Sequence, residues 1–225
     1  MDCNVRYSSQ FSLMRPLIIL LSGCVLLGLM LIPNNDAHSM MVELGGNFGY
    51  DQRVYGDDRQ NSFVERTYSA STALYFFTFT AVELDYNIDQ QITGEHNTYP
   101  LDGLGYSVIG RNANLETTSY QIGIRQALAR PDLMIVPSLS LGYAKQFVES
   151  SGEIYIENDT TKSVLIIPSQ SVKRRYDSVF GAFQIKVKIT GNMYINGSIK
   201  TSFPYFEYNQ AKNFIRYQAG FSWLF

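Results

Sequence analysis

The sequence predicts an all-β fold: an eight-stranded antiparallel up-and-down β-barrel that spans a membrane, formed by residues 40–225. Three observations favour this fold. Apolar and polar residues alternate in eight segments, with no helical period of useful length after residue 40. The apolar face of all eight segments carries no charged residue. Aromatic residues recur near both ends of these segments, as in the aromatic belts at the two interfaces of membrane barrels.

Each predicted strand is about the length that crosses a bilayer when tilted. The strands cover residues 42–50, 68–76, 82–87, 119–125, 135–144, 178–188, 195–205 and 215–223. The connections after the second, fourth and sixth strands are short, and Thr190-Gly191-Asn192 is a hairpin turn of the Gly/Asn type. The connections after the first, third and fifth strands are long, covering about 51–65, 88–117 and 148–175. The last connection, near 207–212, is short.

Two classes of eight-stranded barrel fit this alternation. A soluble lipocalin turns its apolar face inward around a ligand, whereas a membrane barrel turns it outward to lipid. The aromatic residues favour the membrane barrel. Tyrosines lie near one end of every strand, and all except Tyr176 share the apolar face: Tyr50, Tyr68, Tyr86, Tyr120, Tyr143, Tyr176, Tyr205 and Tyr217. At the opposite ends lie Phe76, Phe79, Trp223 and Phe225.

The amino end predicts export. Arg6 and Arg15 precede an apolar run over 16–33, and Ala37-His38-Ser39 supplies small residues where a signal peptidase cuts. Residues 1–39 are therefore interpreted as a signal peptide that is removed before Met40, with Met14 as an alternative start. A short transmembrane helix, and a lipid anchor on Cys24 within Leu21-Ser22-Gly23-Cys24, are alternatives that remain open.

Composition excludes several classes of site. The two cysteines, Cys3 and Cys24, lie in the presumed signal, so the mature chain has no thiol for a disulfide or a thiolate metal site. The formal net charge of −2 provides no basic field for nucleic acid. One histidine, His96, remains after cleavage, and a structural zinc site is not expected from one histidine. We expect no catalytic residue, metal or cofactor, and we interpret His96 as a solvated loop residue.

The chain ends on Gln218-Ala219-Gly220-Phe221-Ser222-Trp223-Leu224-Phe225. This octapeptide resembles the carboxyl-terminal signal by which outer-membrane assembly machinery recognises its barrel clients, with Gln218, Gly220, Trp223 and Phe225 as its key positions. Phe221, Trp223 and Phe225 share the lipid-facing side of the last strand.

The pattern as a whole resembles the small Gram-negative outer-membrane barrels of the OmpA transmembrane-domain and OmpX type. The resemblance implies short periplasmic turns, long extracellular loops, Sec-type export and location in the outer membrane. It implies outer-membrane lipids and lipopolysaccharide, the barrel-assembly machinery and periplasmic chaperones as partners. We expect a monomer without a nucleic-acid partner.

The polar face predicts an ion-paired interior, because an eight-stranded barrel is filled by side chains and an unpaired buried charge is costly. The expected luminal charge cluster is Glu43, Glu83, Asp85, Arg125, Lys186, Lys188, Lys200 and Arg216. A path for ions lined by the same charges is the alternative.

The loops carry the expected function. In the third long connection, 153–157 and 163–167 flank Asn158-Asp159-Thr160-Thr161 and predict either a projecting hairpin or a simple continuation of the neighbouring strands. Lys145 and Lys173-Arg174-Arg175 lie near the outer rim, where they either pair with lipopolysaccharide phosphates or are solvated. The predicted function is non-enzymatic: envelope integrity, or surface interaction and adhesion through the loops. A narrow ion or solute pore and a lipid A-modifying enzyme are the alternatives.

Overall fold

The computed structural model describes residues 41–56, 58–101, 103–130, 133–204 and 214–225. In these residues nine β-strands form one antiparallel sheet. The strands are β1 (Met41–Tyr55), β2 (Asn61–Phe77), β3 (Thr80–Glu95), β4 (Tyr99–Leu101), β5 (Tyr106–Ala127), β6 (Ile135–Asn158), β7 (Val164–Thr190), β8 (Met193–Pro204) and β9 (Arg216–Leu224). The presumed signal peptide, the Cys24 anchor and Tyr205 lie outside the described residues, so these predictions stay predictions.

Eight of the strands close into a ring. Each pairs with its neighbour in the order β1-β2-β3-β5-β6-β7-β8-β9, and β9 pairs with β1 through a register that includes Gly46↔Phe221 and Phe48↔Ala219. The short β4 pairs only with β5, outside the ring. This closed pairing confirms the predicted eight-stranded antiparallel up-and-down barrel and leaves no edge where all eight strands are present.

The faces of the barrel are inverted relative to a soluble protein. Polar side chains are buried inside the ring, among them Ser119, Asn196 and Ser222. Large apolar side chains point outward and are exposed, such as Leu84, Ile124 and Leu141, the last with 66% of its surface exposed. An outward apolar band around a polar interior is the arrangement of a transmembrane barrel, and it is opposite to that of a lipocalin.

The two ends of the barrel differ in height. At the short-turn end, β2 and β3 are joined by Thr78-Phe79, and β7 and β8 are joined by Gly191-Asn192, where Gly191 has a φ of +44° that favours glycine. At the other end β5, β6 and β7 extend to 22, 24 and 27 residues. A tilted strand needs only about 9–11 residues to cross a bilayer, so roughly 35–55 Å of each extends beyond it.

These extensions replace most of the residues interpreted as long loops. The segments 51–65, 88–117 and 148–175 are largely strand, and the turns that end them are short. Both alternatives for the third connection describe the structure, because β6 and β7 continue past the barrel and their continuations pair as a hairpin that ends at Glu157↔Val164. The sequence boundaries were too short because the extensions lose the strict apolar alternation that marks lipid-facing strands. No helix in the described residues is long and apolar enough to cross a membrane.

Candidate functional site

Buried charged side chains form three tiers inside the barrel. The lower tier, which lies nearest the short-turn end, is centred on Arg125. Its guanidinium binds Glu83 with two nitrogens, Nη2–Oε1 at 2.5 Å and Nε–Oε2 at 3.2 Å, and Glu43 through Nη1–Oε1 at 3.1 Å. Lys186 Nζ lies 2.6 Å from Glu43 Oε2. Two carboxylates and two cations therefore balance, and the side chains of Glu43 and Arg125 are each only 3% exposed.

Neutral groups complete the bonding of this lower tier. The Tyr75 hydroxyl donates to Glu43 Oε2 at 2.9 Å, and the Ser140 hydroxyl donates to Glu83 Oε2 at 2.6 Å. Lys186 also lies over the rings of Tyr75 and Tyr194, with Nζ 5.7 Å from each centroid. Bidentate and charge-assisted bonds of this kind are the strong class of hydrogen bond, so the tier is a rigid ion-paired layer across the lumen.

A middle tier joins Lys200 to Asp85, both buried. The ammonium of Lys200 lies 5.3 Å from the ring centroid of Phe180, which is fully buried inside the barrel. Space for this ring comes from two facing glycines. A Cβ added to Gly123 or to Gly142 would lie 2.7 Å from the Phe180 ring. The lumen at this level is therefore filled by an aromatic ring as well as by an ion pair.

An upper tier is formed by Arg216, whose side chain is largely buried. Its Nε lies 2.8 Å from Glu65 Oε1, and its Nη1 lies 3.1 Å from Asp89 Oδ2. Gln91 also donates to Glu65 Oε1 at 2.9 Å. Two carboxylates face one guanidinium here, so this tier carries one more negative charge than positive.

The structure brings seven of the eight charges of the expected cluster into these three tiers. They are Glu43, Glu83, Asp85, Arg125, Lys186, Lys200 and Arg216. Lys188 lies apart: it pairs across the sheet with Tyr194 near the β7–β8 turn, is half-buried and makes no ion pair with a described residue.

Two partners in the tiers, Glu65 and Asp89, were missed by sequence reasoning because they fall in segments interpreted as loops. The alternation of Glu65 with Thr67, and of Asp89 with Asn87, was the signal that could have placed them inside.

The carboxyl terminus closes the ring. The Phe225 N–H donates to the Val42 carbonyl at 2.8 Å, and the Val42 N–H donates to the Phe225 carbonyl at 3.1 Å. Trp223 and Phe225 are exposed and stack at 5.6 Å between ring centroids. Gln218 is buried in the lumen. Gly220 lies so close to β1 that an added Cβ would be 2.0 Å from the Gly46 carbonyl oxygen. Glycine is therefore the residue type that lets β9 close on β1 at this point.

Aromatic residues form two exposed levels on the outer wall. Tyr86 and Tyr120 are direct cross-strand partners with ring centroids 5.2 Å apart, and Phe147 meets Tyr120 at 6.1 Å. On the neighbouring strands β1 and β2, Phe48 and Tyr68 lie 5.3 Å apart. The second level, near the short-turn end, contains exposed Phe76, Phe79, Trp223 and Phe225. The two levels border the apolar band, as expected of residues at two membrane interfaces.

Beyond the tyrosine level, β4 and the outer parts of β5, β6 and β7 form an outer platform, defined as residues 99–101, 106–114, 149–158 and 164–174. Its tip carries an exposed apolar run, Val164-Leu165-Ile166-Ile167. In this run adjacent residues, which point to opposite faces of the strand, are all exposed. Among the described residues, no strand pairs with the edge of β7 over 164–174 other than β6.

His96 lies beside the β1–β2 turn. Its Nδ1 is 3.0 Å from the Gln60 carbonyl oxygen, and its backbone N–H donates to Asn61 Oδ1 at 3.0 Å. These contacts tie two turns together. In the part of the chain that the structure describes, no group of three or more His, Cys, Asp or Glu side chains is placed to hold a metal ion.

Comparison with known proteins finds similarity in solved structures alone. No family model and no curated protein sequence matches the chain. The chain is similar to the N-terminal β-barrel domain of OprF from Pseudomonas aeruginosa, with 14% identity, 82% of this chain and 97% of that chain covered, and a TM-score of 0.43. It is similar to the attachment invasion locus protein Ail of Yersinia pestis, at 10% identity, 83% and 97% coverage and a TM-score of 0.42. It is also similar to a major outer membrane protein of Thermus thermophilus, at 10% identity, 84% and 100% coverage and a TM-score of 0.45. The fold assignment itself rests on the closed strand pairing and the inverted faces.

Proposed function

We propose that this protein is a non-enzymatic barrel of a Gram-negative outer membrane, which uses a closed, ion-paired girdle to hold its outer platform above the cell surface for contact with a surface partner. The girdle is the part of the barrel between the short-turn end and the tyrosine level, where all eight strands pair. The single observation that carries the proposal is the extension of β5, β6 and β7 into a platform whose tip exposes Val164, Leu165, Ile166 and Ile167.

The girdle supports this proposal by its rigidity. The lower tier joins β1, β3, β5 and β7 through Glu43, Glu83, Arg125 and Lys186, so four of the eight strands are cross-linked inside the barrel. A scaffold of this kind holds a projecting sheet at a constant position. Binding residues in proteins often lie on segments that a rigid scaffold positions.

The tip supports the proposal by its exposure. Contiguous exposed apolar patches are uncommon on proteins in water and mark interaction sites. Four consecutive apolar residues at the far end of the longest strand therefore favour a binding surface over a surface without a partner.

The polar contacts of His96 with Gln60 and Asn61 hold neighbouring turns together and support a structural role for this histidine.

The test replaces the tip and leaves the girdle unchanged. A variant with Leu165→Ser, Ile166→Ser and Ile167→Ser is compared with wild type in cells that lack the native gene. We expect equal amounts of heat-shifted barrel in the outer membrane, together with loss of cell adhesion or cell–cell aggregation. Unchanged adhesion, with loss of envelope integrity only in the complete deletion, would instead favour the envelope role.

A second candidate, a narrow pore, is favoured by polar atoms inside the girdle. The amide of Asn196, the Gln184 Oε1 atom and the Ser178 hydroxyl are buried and make no hydrogen bond to any described residue. Such groups are suited to line a file of water molecules. Conductance in planar bilayers separates the two functions: steady ohmic current that changes in Lys200→Ala or Glu83→Ala supports the pore, and silence in both variants and wild type supports the closed girdle.

A further inference from the structure

The middle tier has a feature that an ion pair alone does not require, which is a side-chain amide within reach of the lysine amine. Lys200 Nζ contacts Asp85 Oδ2 and also lies 3.5 Å from Asn87 Oδ1. Asp85 and Asn87 are two residues apart on β3, so both side chains point into the lumen. A primary amine, an amide and a carboxylate therefore meet at one point inside the girdle.

This meeting point is sheltered from water. The exposed fractions of Lys200, Asp85 and Asn87 are 8%, 9% and 3%. The ring of Phe180, which is fully buried, covers the ammonium at 5.3 Å from its centroid. Enclosed sites hold reacting groups together and limit competing reactions with water.

A second cation lies next to Lys200. Its direct cross-strand partner on β9 is Arg216, and like charges directly opposite each other in a sheet are unfavourable. A desolvated lysine beside another cationic group is an arrangement by which proteins obtain a neutral, nucleophilic amine. Asp85 Oδ2, in contact with Lys200 Nζ, is placed to accept the proton that the amine must lose.

The atoms that would change during a reaction are not held by other groups. Asn87 Nδ2 and Asp85 Oδ1 are buried, and neither makes a hydrogen bond to any described residue. The amide nitrogen can therefore leave without breaking another contact, and the second carboxylate oxygen of Asp85 is free to carry a proton.

We propose that Lys200 and Asn87 join in an isopeptide bond that links β8 to β3 across the lumen, with Asp85 as the catalytic group. Asp85 takes one proton from the Lys200 ammonium, and the neutral amine attacks Cγ of Asn87. The new bond joins Lys200 Nζ to Asn87 Cγ, and the bond from Cγ to Nδ2 breaks. A second proton from Lys200 leaves with Nδ2 as ammonia. The third hydrogen stays on Nζ as the amide N–H and Asp85 remains protonated, so atoms and charges balance without a cofactor or an oxidant.

The link would have a mechanical consequence for the girdle. In the ring, β3 pairs with β2 and β5, and β8 pairs with β7 and β9, so no sheet hydrogen bond joins β3 to β8. A covalent bond between them would cross the lumen and close a long loop of the chain, which keeps the unfolded chain more compact. This inference needs only the closed ring and goes beyond the proposed surface contact.

The lower tier provides a matched control. Lys186 pairs directly across the sheet with Asn196, and both residues are buried. Lys186 Nζ nevertheless bonds to Glu43 and Tyr75, and neither polar side-chain atom of Asn196 makes a hydrogen bond to a described residue. The same two residue types are therefore neighbours there without the contact that the reaction requires.

The experiment measures the intact mass of the full-length chain, purified unfolded in urea, before and after it folds in lipid vesicles. One preparation supplies both masses, so processing of the amino end does not affect the comparison. We expect folding to lower the mass of wild type by one ammonia and to give, after proteolysis, a branched peptide that joins Asn87 to Lys200. K200R, N87A and D85A should keep their full mass, and N196A should lose one ammonia as wild type does.

A denaturing gel gives a second readout. After folding and then boiling, the linked wild-type chain should migrate faster than the unfolded preparation, and boiled N87A should not. The heat shift of each unboiled variant shows whether its barrel has folded, and the wild-type mass decides the question whatever the variants do.

Three outcomes would overturn the inference. An unchanged mass of folded wild type would show that no bond forms. Loss of one water instead of one ammonia would place the bond on the Asp85 carboxyl. Loss of ammonia in D85A would remove the catalytic role of Asp85. None of these results depends on whether the outer platform binds a partner, so failure of the proposed function is recognised separately by the adhesion test.

Discussion

The outer platform consists mainly of the continuations of β5, β6 and β7, three of the eight strands of the girdle, and yet the two regions follow opposite rules. Within the girdle, charges such as Arg125 and Glu83 are buried and bonded to each other, and apolar residues such as Ile124 point outward. On the platform, Val164 to Ile167 are exposed whichever way they point, and the ion pair between Lys173 and Glu149 lies at the surface. The girdle residues are constrained by lipid on one side and by close packing on the other, whereas neither constraint acts on the platform residues, as the proposed contact role requires.

The largest expected effect comes from breaking the lower tier. Arg125→Leu leaves the buried Glu43 and Glu83 without their shared guanidinium. Removing one partner of a buried ion pair typically costs about 3–5 kcal/mol. We expect a loss of that size in the free energy of unfolding, measured by urea titration in lipid vesicles. The control is Lys188→Gln, which removes a cation that has no ion-pair partner among the described residues. We expect this control to change the free energy of unfolding little. An equal loss in both variants would show that the tier does not stabilise the girdle.

The next effect compares the two regions directly by placing one charge in each. Ile124→Lys puts an ammonium on the outward face of the girdle, and Ile166→Lys puts one on the exposed tip of the platform. A lysine facing lipid at the midplane costs roughly 2–4 kcal/mol, and an ammonium in water costs almost nothing. Unfolding titrations should therefore separate the two variants by that amount, and similar stabilities would contradict the assignment of a lipid-facing band.

A third prediction concerns the closure of the ring. In Gly220→Ala the new methyl group would lie 2.0 Å from the Gly46 carbonyl oxygen, so the backbone of β9 or β1 must move. We expect a cost near the upper end of the roughly 1–3 kcal/mol that overpacking causes, seen as a smaller heat-shifted fraction. Gly197→Ala on the neighbouring β8 is the control, because an added Cβ there meets no atom within 4 Å. Equal folding of the two variants would show that the close approach is not required.

The smallest effect belongs to the platform. The hydrogen bond from Lys173 lowers the pKa of the Glu149 carboxyl below its ordinary value. A carboxyl with a lowered pKa contributes its stabilisation above the ordinary carboxyl range and loses it as the pH falls through the lowered value. Because both side chains are largely exposed, Glu149→Gln should cost less than about 1 kcal/mol at neutral pH and nothing in acid. A larger loss, measured by the same urea titration at two pH values, would mean that the platform is tightly coupled to the girdle.

The sequence predicted the girdle well because its two faces obey a period of two residues. The eight strands, the outward tyrosines such as Tyr86 and Tyr120, and the inward charges such as Glu43 and Arg125 all follow from that alternation. The outward stripe of Phe221, Trp223 and Phe225 followed from the terminal octapeptide. The predicted boundaries failed above the tyrosine level, where Val164-Leu165-Ile166-Ile167 is apolar on both faces and the period disappears.

Partners across the lumen could not be predicted in the same way. Alternation assigns a residue to a face, but the register of eight strands decides which residues meet there. The fit of Phe180 over Gly123 and Gly142 depends on three strands at once. The pairing of Arg216 with Glu65 and Asp89 joins residues from β9, β2 and β3 that are far apart in sequence.

The central claim, that the apolar face of the girdle contacts lipid, has a natural probe, because Trp223 is the chain's single tryptophan. It is exposed on the outward face of β9 and stacks on Phe225. The direct measurement is Trp223 fluorescence of the protein reconstituted in vesicles of brominated phospholipid and, separately, in vesicles of ordinary phospholipid with an aqueous quencher. A lipid-facing position of Trp223 predicts strong quenching by the brominated chains and weak quenching from water. Strong quenching from water with none from the brominated chains would contradict it and favour a soluble barrel.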